Sequence, residues 1–320
     1  MIKIAVDLQG ADRPQTELAE GAFRAVRDNE DLFLYLCGGR QELETCMKEQ
    51  GFTSERIEFV DASQVITNSD DPAEAFKEKK DSSLIRGMQL CKDDPEIGGF
   101  VTCGPTGAIF VSALMLLGRI ARVSPMLLVE LSRPDGTPFC VVDCGANVDC
   151  RAEKLVDFAR MGIAYMKAAG VAEPKVGLLS NGAEDGKGSA VVKSANKLLR
   201  EQIPQFTGNV EGSGVFTGSA DVIVCDGFSG NILLKTTEGA AKAAIAELRA
   251  MGVSGEAVDK LYAKYDHNTQ GGAVLLGTKL PIIKGHGAAA SQTVYNIIKA
   301  AYKLAVNRIN EKIESEFTGA

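Results

Sequence analysis

Short apolar runs alternate with amphipathic segments along most of the chain. The runs IKIAVDLQ (2–9), LFLYLCG (32–38) and RIEFVDA (56–62) are rich in residues that favour strands. Between them, residues 16–29 and 41–51 repeat apolar positions at the spacing of one helix face. The first part of the chain therefore predicts a β-α-β-α-β order.

The same alternation continues to the end of the sequence. Apolar spacing predicts further helices over 72–92, 106–120, 151–169, 187–201, 230–251 and 289–317. Further strands are predicted in FVTCG (100–104), at 175–180, 206–211 and 220–226, and within 273–284. Residues 126–143 break the rhythm, because two β runs flank the turn sequence Ser-Arg-Pro-Asp-Gly-Thr-Pro. This pattern predicts a hairpin, and with it an antiparallel pair of strands.

The order of the elements predicts the fold class. Strands that alternate with helices form mostly parallel sheets, and helices cover both faces of such a sheet. We therefore expect an α/β protein with a mostly parallel sheet that contains one antiparallel hairpin. A single domain is expected over residues 1–320, with a short helical excursion around 240–270.

Charge and hydropathy exclude several classes of protein. A formal charge of −7 and a pI near 5.1 argue against a nucleic-acid-binding protein, which would carry a basic stripe. No apolar run approaches the roughly 18 residues that a membrane span needs. No secretory signal precedes the strand that starts at Ile2. We expect a cytoplasmic protein.

The eight cysteines are expected to be buried free thiols. Four of them lie inside apolar strand patterns: Cys37, Cys103, Cys140 and Cys225. Cys144 and Cys150 are separated by five residues, which is not a zinc-binding spacing. His267 and His286 are the two histidines of the chain. We therefore expect neither a metal site nor a cofactor.

Five apolar runs end in turns rich in glycine and small polar residues. These segments are FVTCGPTGAIF (100–110), CVVDCGANVDC (140–150), VGLLSNGAEDGKG (176–188), VIVCDGFSGNILLKT (222–236) and IIKGHGAAAS (282–291). Each turn places backbone N–H groups at the carboxyl end of a strand, and four of them lead into a helix whose dipole favours an anion. Ligands of open α/β sheets bind at this edge. The turns predict a shared anion-binding crevice.

The first two turns leave structural and functional interpretations open. Gly104, Thr106 and Gly107 start a predicted helix, where the Thr106 hydroxyl suits an N-cap and equally a phosphate contact. Asn147 follows a Gly-Ala pair and either adopts a left-handed turn or faces a ligand. Asp149 is expected to cap the helix that follows.

The SNGAEDGKG turn (180–188) contains a lysine between two glycines. A cation at the start of a helix opposes the helix dipole, so Lys187 is better explained by a bound anion. We expect Asn181, Gly182 and Gly188 to contact the same ligand. Lone lysines are usually solvated charges, and this remains the competing interpretation.

The last two turns add further candidates. Ser229, Gly230 and Asn231 lie at a strand–helix junction, where backbone amides form an anion nest. His286 lies between glycines at a strand end, which favours a ligand-facing imidazole that donates a hydrogen bond or exchanges a proton. A packed or surface histidine is the alternative.

In this order, these segments resemble the bacterial phosphate acyltransferase family, which makes acyl phosphates from acyl carrier protein thioesters and inorganic phosphate. The matching stretches are VDLQGAD (6–12), CGPTGA (103–108), LLVELSRPDGTPFCVVDCGANVDC (127–150), GLLSNGAEDGKG (177–188), GNVEG (208–212), DVIVCDGFSGNILLKTTEG (221–239), GGAVLLG (271–277) and IIKGHG (282–287). The resemblance covers essentially the whole chain.

The resemblance implies a three-layer α/β/α sandwich, similar to phosphotransacetylases and isopropylmalate dehydrogenases, and a homodimer. It places Lys187 and Asn231 at positions associated with catalysis, and His286 at the histidine of the family's closing IK-x-HG motif. The implied partners are acyl carrier protein and inorganic phosphate. The interval 240–270 is shorter and less hydrophobic than the family's membrane-docking helices, so membrane association is expected to be weak or absent.

Departures from the family pattern keep alternatives open. The opening VDLQGADRPQ differs from the usual VDAMGGDHAP, since Ala11 replaces a glycine and Arg13 a histidine. Pro105 replaces an asparagine in the second motif. A paralogue that forms short-chain acetyl phosphate, and a non-catalytic subunit that binds acyl carrier protein, are the competing hypotheses. Coenzyme A is an alternative donor.

Overall fold

The computed structural model describes residues 1–265 and 272–318. Two compact units share the chain. The first comprises Met1–Ile120 and the described residues of Gly271–Asn310, and the second comprises the described residues of Ala121–Gln270 and Glu311–Ala320. The single domain expected from the sequence stays a prediction. The last part of the expected excursion around 240–270, and His267, lie outside the described residues.

The elements alternate as the apolar pattern predicts. In chain order the strands are β1 (Ile2–Asp7), β2 (Leu32–Gly38), β3 (Ile57–Asp61), β4 (Ile97–Thr102), β5 (Met126–Ser132), β6 (Pro138–Val142), β7 (Val176–Ser180), β8 (Phe206–Glu211), β9 (Val222–Val224), β10 (Ala273–Leu276) and β11 (Ile282–Lys284). The helices are α1 (Gln15–Asp28), α2 (Arg40–Glu49), α3 (Pro72–Glu78), α4 (Ser83–Asp93), α5 (Thr106–Leu116), α6 (Ala152–Ala168), α7 (Ala190–Gln202), α8 (Gly227–Ala250), α9 (Glu256–Tyr265), α10 (Ser291–Val306) and α11 (Ile309–Thr318).

In the first unit the strands lie in the order β3-β2-β1-β4-β11-β10. All neighbours in this order are parallel except β10, which runs antiparallel to β11. Successive strand residues point to opposite faces of a sheet. Gly99 lies beside Ala301 of α10, whereas Phe100 packs on Gly87 of α4. Helices therefore cover both faces, as predicted.

In the second unit the order is β5-β6-β9-β7-β8. The β5–β6 hairpin is antiparallel, and the remaining pairs are parallel. Phe139 of β6 stacks edge-on against Phe216, which in turn contacts Tyr265 of α9. The Tyr165 side chain of α6 bonds to Glu130, the strand partner of Cys140, and so lies on the other face. The predicted hairpin and the mostly parallel sheet are both confirmed.

Two predicted long helices are each divided in the structure. The segment 72–92 forms α3 and α4, because Ser82 starts a new helix and its Oγ accepts the Ile85 N–H at 3.4 Å. The segment 289–317 forms α10 and α11, with Arg308 between them at φ 49°. Periodicity continues across both breaks, so apolar spacing alone did not reveal them.

All eight cysteines are free and buried, as predicted. Burial raises the pKa of each thiol, and the pKa of Cys150 rises to about 11. These thiols therefore pack as small apolar side chains at neutral pH. Among the described residues, no helix combines the length and the hydropathy that a bilayer crossing requires.

The contact between α1 and α10 depends on a glycine. A Cβ on Gly21 would lie 2.0 Å from the Ser291 carbonyl oxygen. We expect Gly21→Ala to destabilise the fold by about 1–3 kcal/mol. Gly239→Ala, on an open face of α8, should instead stabilise it by about 0.5–1 kcal/mol. Urea unfolding followed by circular dichroism measures both changes, and equal midpoints would contradict this packing.

Candidate active site

In the first unit, three parallel strands end in one row at the carboxyl edge of the sheet. Asp7 of β1 pairs with Thr102 of β4, and Thr102 pairs with Lys284 of β11. Two of the predicted glycine turns, 103–107 and 285–291, follow β4 and β11 directly. The sheet register therefore brings them to the same edge, as the sequence predicts.

A buried carboxylate organises this row. Asp7 Oδ2 accepts the Thr102 hydroxyl at 2.8 Å, and Asp7 Oδ1 accepts the Gln9 N–H at 3.1 Å. Burial raises the pKa of Asp7 to about 6, although hydrogen bonds from Ser83, Thr102 and Gln9 favour the ionised form. Thr102 Oγ1 also accepts the Gly104 N–H at 3.0 Å. Asp7 thus holds the CGPTG turn through one threonine, a role that the sequence analysis missed.

The CGPTG turn presents its later residues to solvent. Helix α5 begins at Thr106, and its N-cap position is Pro105, which offers no side-chain cap. The interpretation of Thr106 as an N-cap is therefore wrong, because Thr106 is already the first residue of the helix. Thr106 and Gly107 are exposed, whereas Gly104 is buried. Thr106 and Gly107 therefore remain accessible to a ligand.

His286 lies on an exposed turn after β11. Its Nδ1 accepts the Ala288 N–H at 3.1 Å, so in the neutral ring the proton resides on Nε2. The Asp12 N–H donates to the Gly287 carbonyl at 2.8 Å and ties the loop after β1 to this turn. The Nδ1 atom of His286 is therefore an acceptor within its own turn, and a ligand-binding role for this residue stays a prediction.

In the second unit, a fully buried carboxylate fills the turn after β6. Asp143 Oδ1 accepts the N–H groups of Leu127, Gly145 and Ala146 at 3.0, 3.1 and 3.0 Å. Asp143 Oδ2 accepts the N–H and the Nδ2 group of Asn147 at 2.6 and 2.9 Å. Five donors surround one carboxylate of the protein itself. The amides of this turn are therefore already occupied.

Asn147 is a structural residue in this arrangement. Besides Asp143, its Nδ2 donates to the Pro125 carbonyl at 2.8 Å, and its Oδ1 accepts Lys154 Nζ at 3.4 Å. Both ends of the amide are thus satisfied within the protein. Asp149 is exposed, and α6 has Arg151 at its N-cap position without a side-chain bond. The prediction that Asp149 caps this helix is wrong.

The start of α8 packs directly against this turn. Asp226 caps the helix by accepting the Ser229 N–H at 2.7 Å, and the Gly230 N–H donates to the Asp226 carbonyl at 3.0 Å. A Cβ on Gly230 would lie 1.9 Å from the Asp143 carbonyl oxygen. The expected amide nest at Ser229 and Gly230 is therefore engaged by Asp226. The Asn231 side chain is exposed.

The SNGAEDGKG loop carries Lys187 as an exposed residue three positions before α7. The helix begins at Ala190 and is capped by Ser189, so Lys187 does not start a helix as the sequence analysis assumed. Its side chain passes over Gly182, where an added Cβ would lie 2.6 Å from Lys187 Cγ. Gly188 has φ 102°, which favours glycine. The glycines thus position the lysine.

A residue of the GNVEG motif holds this loop. Asn209 Nδ2 on β8 donates to the Glu184 carbonyl at 2.8 Å, and Asn209 Oδ1 accepts Asn196 Nδ2 at 2.9 Å. Arg200 pairs with Asp185 from the opposite side. The loop is therefore anchored at two consecutive residues, Glu184 and Asp185. The sequence motifs did not indicate that Asn209 holds this loop.

The loop also contains an unsatisfied hydroxyl. Ser180 Oγ is buried and has no hydrogen-bond partner within the described part of the chain. It lies 3.2 Å from where a Cβ on Gly188 would sit. Buried polar atoms are normally bonded, so this hydroxyl is an exception among the polar groups of the loop. Asn181, the next residue, is exposed.

The predicted site residues therefore form two groups, each within one unit. Gly104, Thr106, Gly107 and His286 belong to the first unit, at adjacent strand ends. The other group belongs to the second unit: Asn147, Asn181, Gly182, Lys187, Gly188, Ser229, Gly230 and Asn231. Within it, Gly145 of the Asn147 turn lies near Asn231, since an added Cβ would be 3.9 Å from Asn231 Cβ.

Several solved structures share this fold. A phosphotransacetylase from Streptococcus pyogenes superposes with a TM-score of 0.66 at 18% identity, and covers 95% of this chain and 94% of its own. A branched-chain phosphotransacylase from Enterococcus faecalis gives 0.62 at 15% identity, with 95% and 99% coverage. A 4-hydroxythreonine-4-phosphate dehydrogenase from Klebsiella pneumoniae gives 0.57 at 12%, with 95% and 100% coverage. The chain has the phosphotransacetylase-like α/β fold.

The sequence comparisons identify the family. Residues 2–312 match the family described as fatty acid synthesis protein. A phosphate acyltransferase from Clostridium acetobutylicum is 36% identical over 325 residues, with 98% of each chain covered. One from Halothermothrix orenii is 38% identical over 324 residues, with 96% of each covered. This chain belongs to the fatty acid synthesis protein family, and the resemblance seen in its motifs is confirmed.

The raised pKa of Asp7 predicts a pH-dependent stability. The folded state holds the Asp7 proton up to a pKa of about 6, against 3.8 ordinarily. The stability that the folded state gains from this higher proton affinity is fully present below pH 3.8. It is lost as the pH rises through about 6, which changes the free energy of unfolding by about 3 kcal/mol. Urea unfolding of the wild type and Asp7→Asn between pH 4 and 7 measures it. The wild type should lose stability relative to the variant, and parallel profiles would refute the prediction.

The Asp143 network predicts a second effect. Asn in place of Asp143 offers one acceptor oxygen to five donors, and we expect Asp143→Asn to cost at least about 2–3 kcal/mol. Asp149→Asn, in the exposed part of the same turn, is the control and should change stability by less than about 0.5 kcal/mol. Equal losses in the two variants would show that Asp143 does not hold the turn.

Proposed function

We propose that this chain transfers a fatty acyl group from an acyl carrier protein thioester to inorganic phosphate, giving an acyl phosphate for phospholipid synthesis. The observation that carries this proposal is the full-length relationship to phosphate acyltransferases at 36–38% identity. Relatives with this identity over nearly the whole chain support the activity of a phosphate acyltransferase. The carrier-protein donor is the finer part of the proposal.

The reaction requires positioning more than reactive groups. A phosphate oxygen attacks the thioester carbonyl carbon, the C–S bond breaks, and the carrier thiol leaves with a proton. In the proposal, Lys187 offsets phosphate charge, and Asn231 or the Nε2–H of His286 donates to the oxyanion. The exposure of Lys187, Asn231 and His286 supports this assignment.

The remaining expectations belong to the same proposal. The family resemblance supports a homodimer, and the acidic composition and buried thiols support a cytoplasmic location. Membrane association is proposed to be weak or absent. A short-chain acetyl phosphate-forming enzyme is the second candidate, favoured by the changed motif residues Arg13 and Pro105.

A hydroxylamine trap tests the proposed activity. The purified protein is incubated with inorganic phosphate and with acetyl, butyryl and palmitoyl thioesters of acyl carrier protein or coenzyme A. We expect phosphate-dependent hydroxamate with the palmitoyl carrier-protein donor. Turnover of acetyl donors alone would establish the second candidate, and no hydroxamate with any donor would refute both.

Lys187 provides a residue-level test. Lys187→Ala should lower kcat/KM for phosphate more than tenfold, because a cation at the anion is removed. Lys193→Ala, an exposed lysine on the adjacent helix α7, serves as the matched control. Unchanged turnover of Lys187→Ala would remove this lysine from the site.

A further inference from the structure

Two carboxylates precede Lys187 in its own loop. Glu184 and Asp185 lie three and two residues before it, and all three residues are exposed. The Lys187 N–H donates to the Glu184 carbonyl at 3.0 Å, so the three residues share one tight turn. A lysine in such a turn can pair with its own acidic neighbours. Once paired, its ammonium group is a weaker partner for a substrate anion.

The Lys187 ammonium group is nevertheless not paired with either acid. The ion pair of this loop joins Asp185 to Arg200, and Lys187 makes none within the described part of the chain. A Cβ on Gly182 would lie 2.6 Å from Lys187 Cγ and 3.0 Å from Glu184 Oε2, so the lysine stem and the Glu184 carboxylate share this glycine. The cation of the loop is therefore left for a ligand.

Helix α7 binds the second carboxylate. Arg200 Nη2 donates to Asp185 Oδ1, and Asn196 Nδ2 donates to the same oxygen at 3.4 Å. Arg200 Nε donates in turn to Asn196 Oδ1 at 3.3 Å. The guanidinium group holds the pKa of Asp185 below its ordinary value, so this carboxylate is ionised at neutral pH. Its charge is satisfied by α7 rather than by the lysine two residues away.

The side chains that bind Asp185 are themselves fixed by β8. Asn196 is 2% exposed, and its Nδ2 also donates to Asn209 Oδ1 at 2.9 Å. The guanidinium carbon of Arg200 lies 5.5 Å from the centroid of the Phe206 ring. A network that includes a buried amide and a neighbouring strand orders its members more firmly than an isolated surface ion pair does.

We propose that Arg200 is a positioning residue, which binds Asp185 and thereby keeps the Lys187 ammonium group unpaired for the substrate anion. The proposal rests on the proposed function, in which Lys187 offsets the charge of inorganic phosphate. Without the guanidinium group, an ionised carboxylate lies two residues from Lys187 and retains only the long bond from Asn196. That carboxylate then competes with phosphate for the ammonium group.

Kinetics at varied phosphate concentration test this competition. Arg200→Ala should raise KM for phosphate about three- to fivefold and leave kcat within about twofold, the range by which an exposed ion pair lowers the unpaired fraction of a lysine. Arg200→Lys keeps a cation beside Asp185 and should stay near the wild type. Arg249→Ala is the matched control, because Arg249 is also exposed and pairs with Asp259 at 2.9 Å in the same unit. It should not change KM.

A double variant separates competition from loss of structure. Asparagine carries no charge, so Arg200→Ala combined with Asp185→Asn should return KM for phosphate to within about 1.5-fold of the wild type. If the network only supports the loop, the second substitution removes a further bond and KM stays high or rises. That result would overturn the proposal. Arg200→Gln, which keeps more of the stem, replaces the alanine variant if the latter misfolds.

Chemical labelling separates this proposal from the proposed function. Pyridoxal 5′-phosphate, an anionic aldehyde, forms an imine with an unpaired lysine by loss of water, and borohydride fixes the adduct for peptide mapping. Labelling of Lys187 should fall in Arg200→Ala and recover in the double variant. This pattern without hydroxamate from any donor would refute the proposed function and keep the role of Arg200. Hydroxamate formation with equal labelling in the wild type and Arg200→Ala would refute the role of Arg200 alone.

Discussion

Buried carboxylates at the carboxyl ends of the strands hold the turns from which the candidate site is built. Parallel strands end with backbone N–H groups that have no partner in the sheet, and these must be satisfied. Asp143 satisfies four backbone amides and one side-chain amide while fully buried, and Asp7 does the same for Gln9 and, through Thr102, for Gly104. In a low-dielectric interior such charge-assisted bonds are strong, so the turns are preorganised before any ligand binds.

This internal neutralisation already occupies many amides of the turns. The amides around Asn147 bind Asp143, and the Ser229 amide at the start of α8 binds Asp226. The exposed polar side chains of the turns include Thr106, Lys187, Asn231 and His286. Glycines allow the turns to pack closely, since an added Cβ on Gly230 would lie 1.9 Å from the Asp143 carbonyl oxygen.

Helix α8 has different surroundings along its length. Its first turn is capped by Asp226 and packed on the Asp143 turn, where an added Cβ on Gly230 would meet the Asp143 carbonyl. Its later turns carry Ala240, Ala241 and Ala244, which line an apolar groove together with Phe216 and Tyr265. The polar contacts that fix this helix therefore lie at its amino-terminal end.

The sequence by itself determined the α/β fold, the hairpin, the free thiols and the strand ends at which five glycine turns gather, because apolar periodicity and turn chemistry are local properties. Its motifs also determined the family. Only the tertiary structure decided which turn amides are occupied, since Asp143 reaches Leu127 on a neighbouring strand, and Asn209 reaches the Lys187 loop from β8. It also decided the helix breaks at Ser82 and Arg308. These outcomes depend on contacts between residues distant in the chain, which no local pattern encodes.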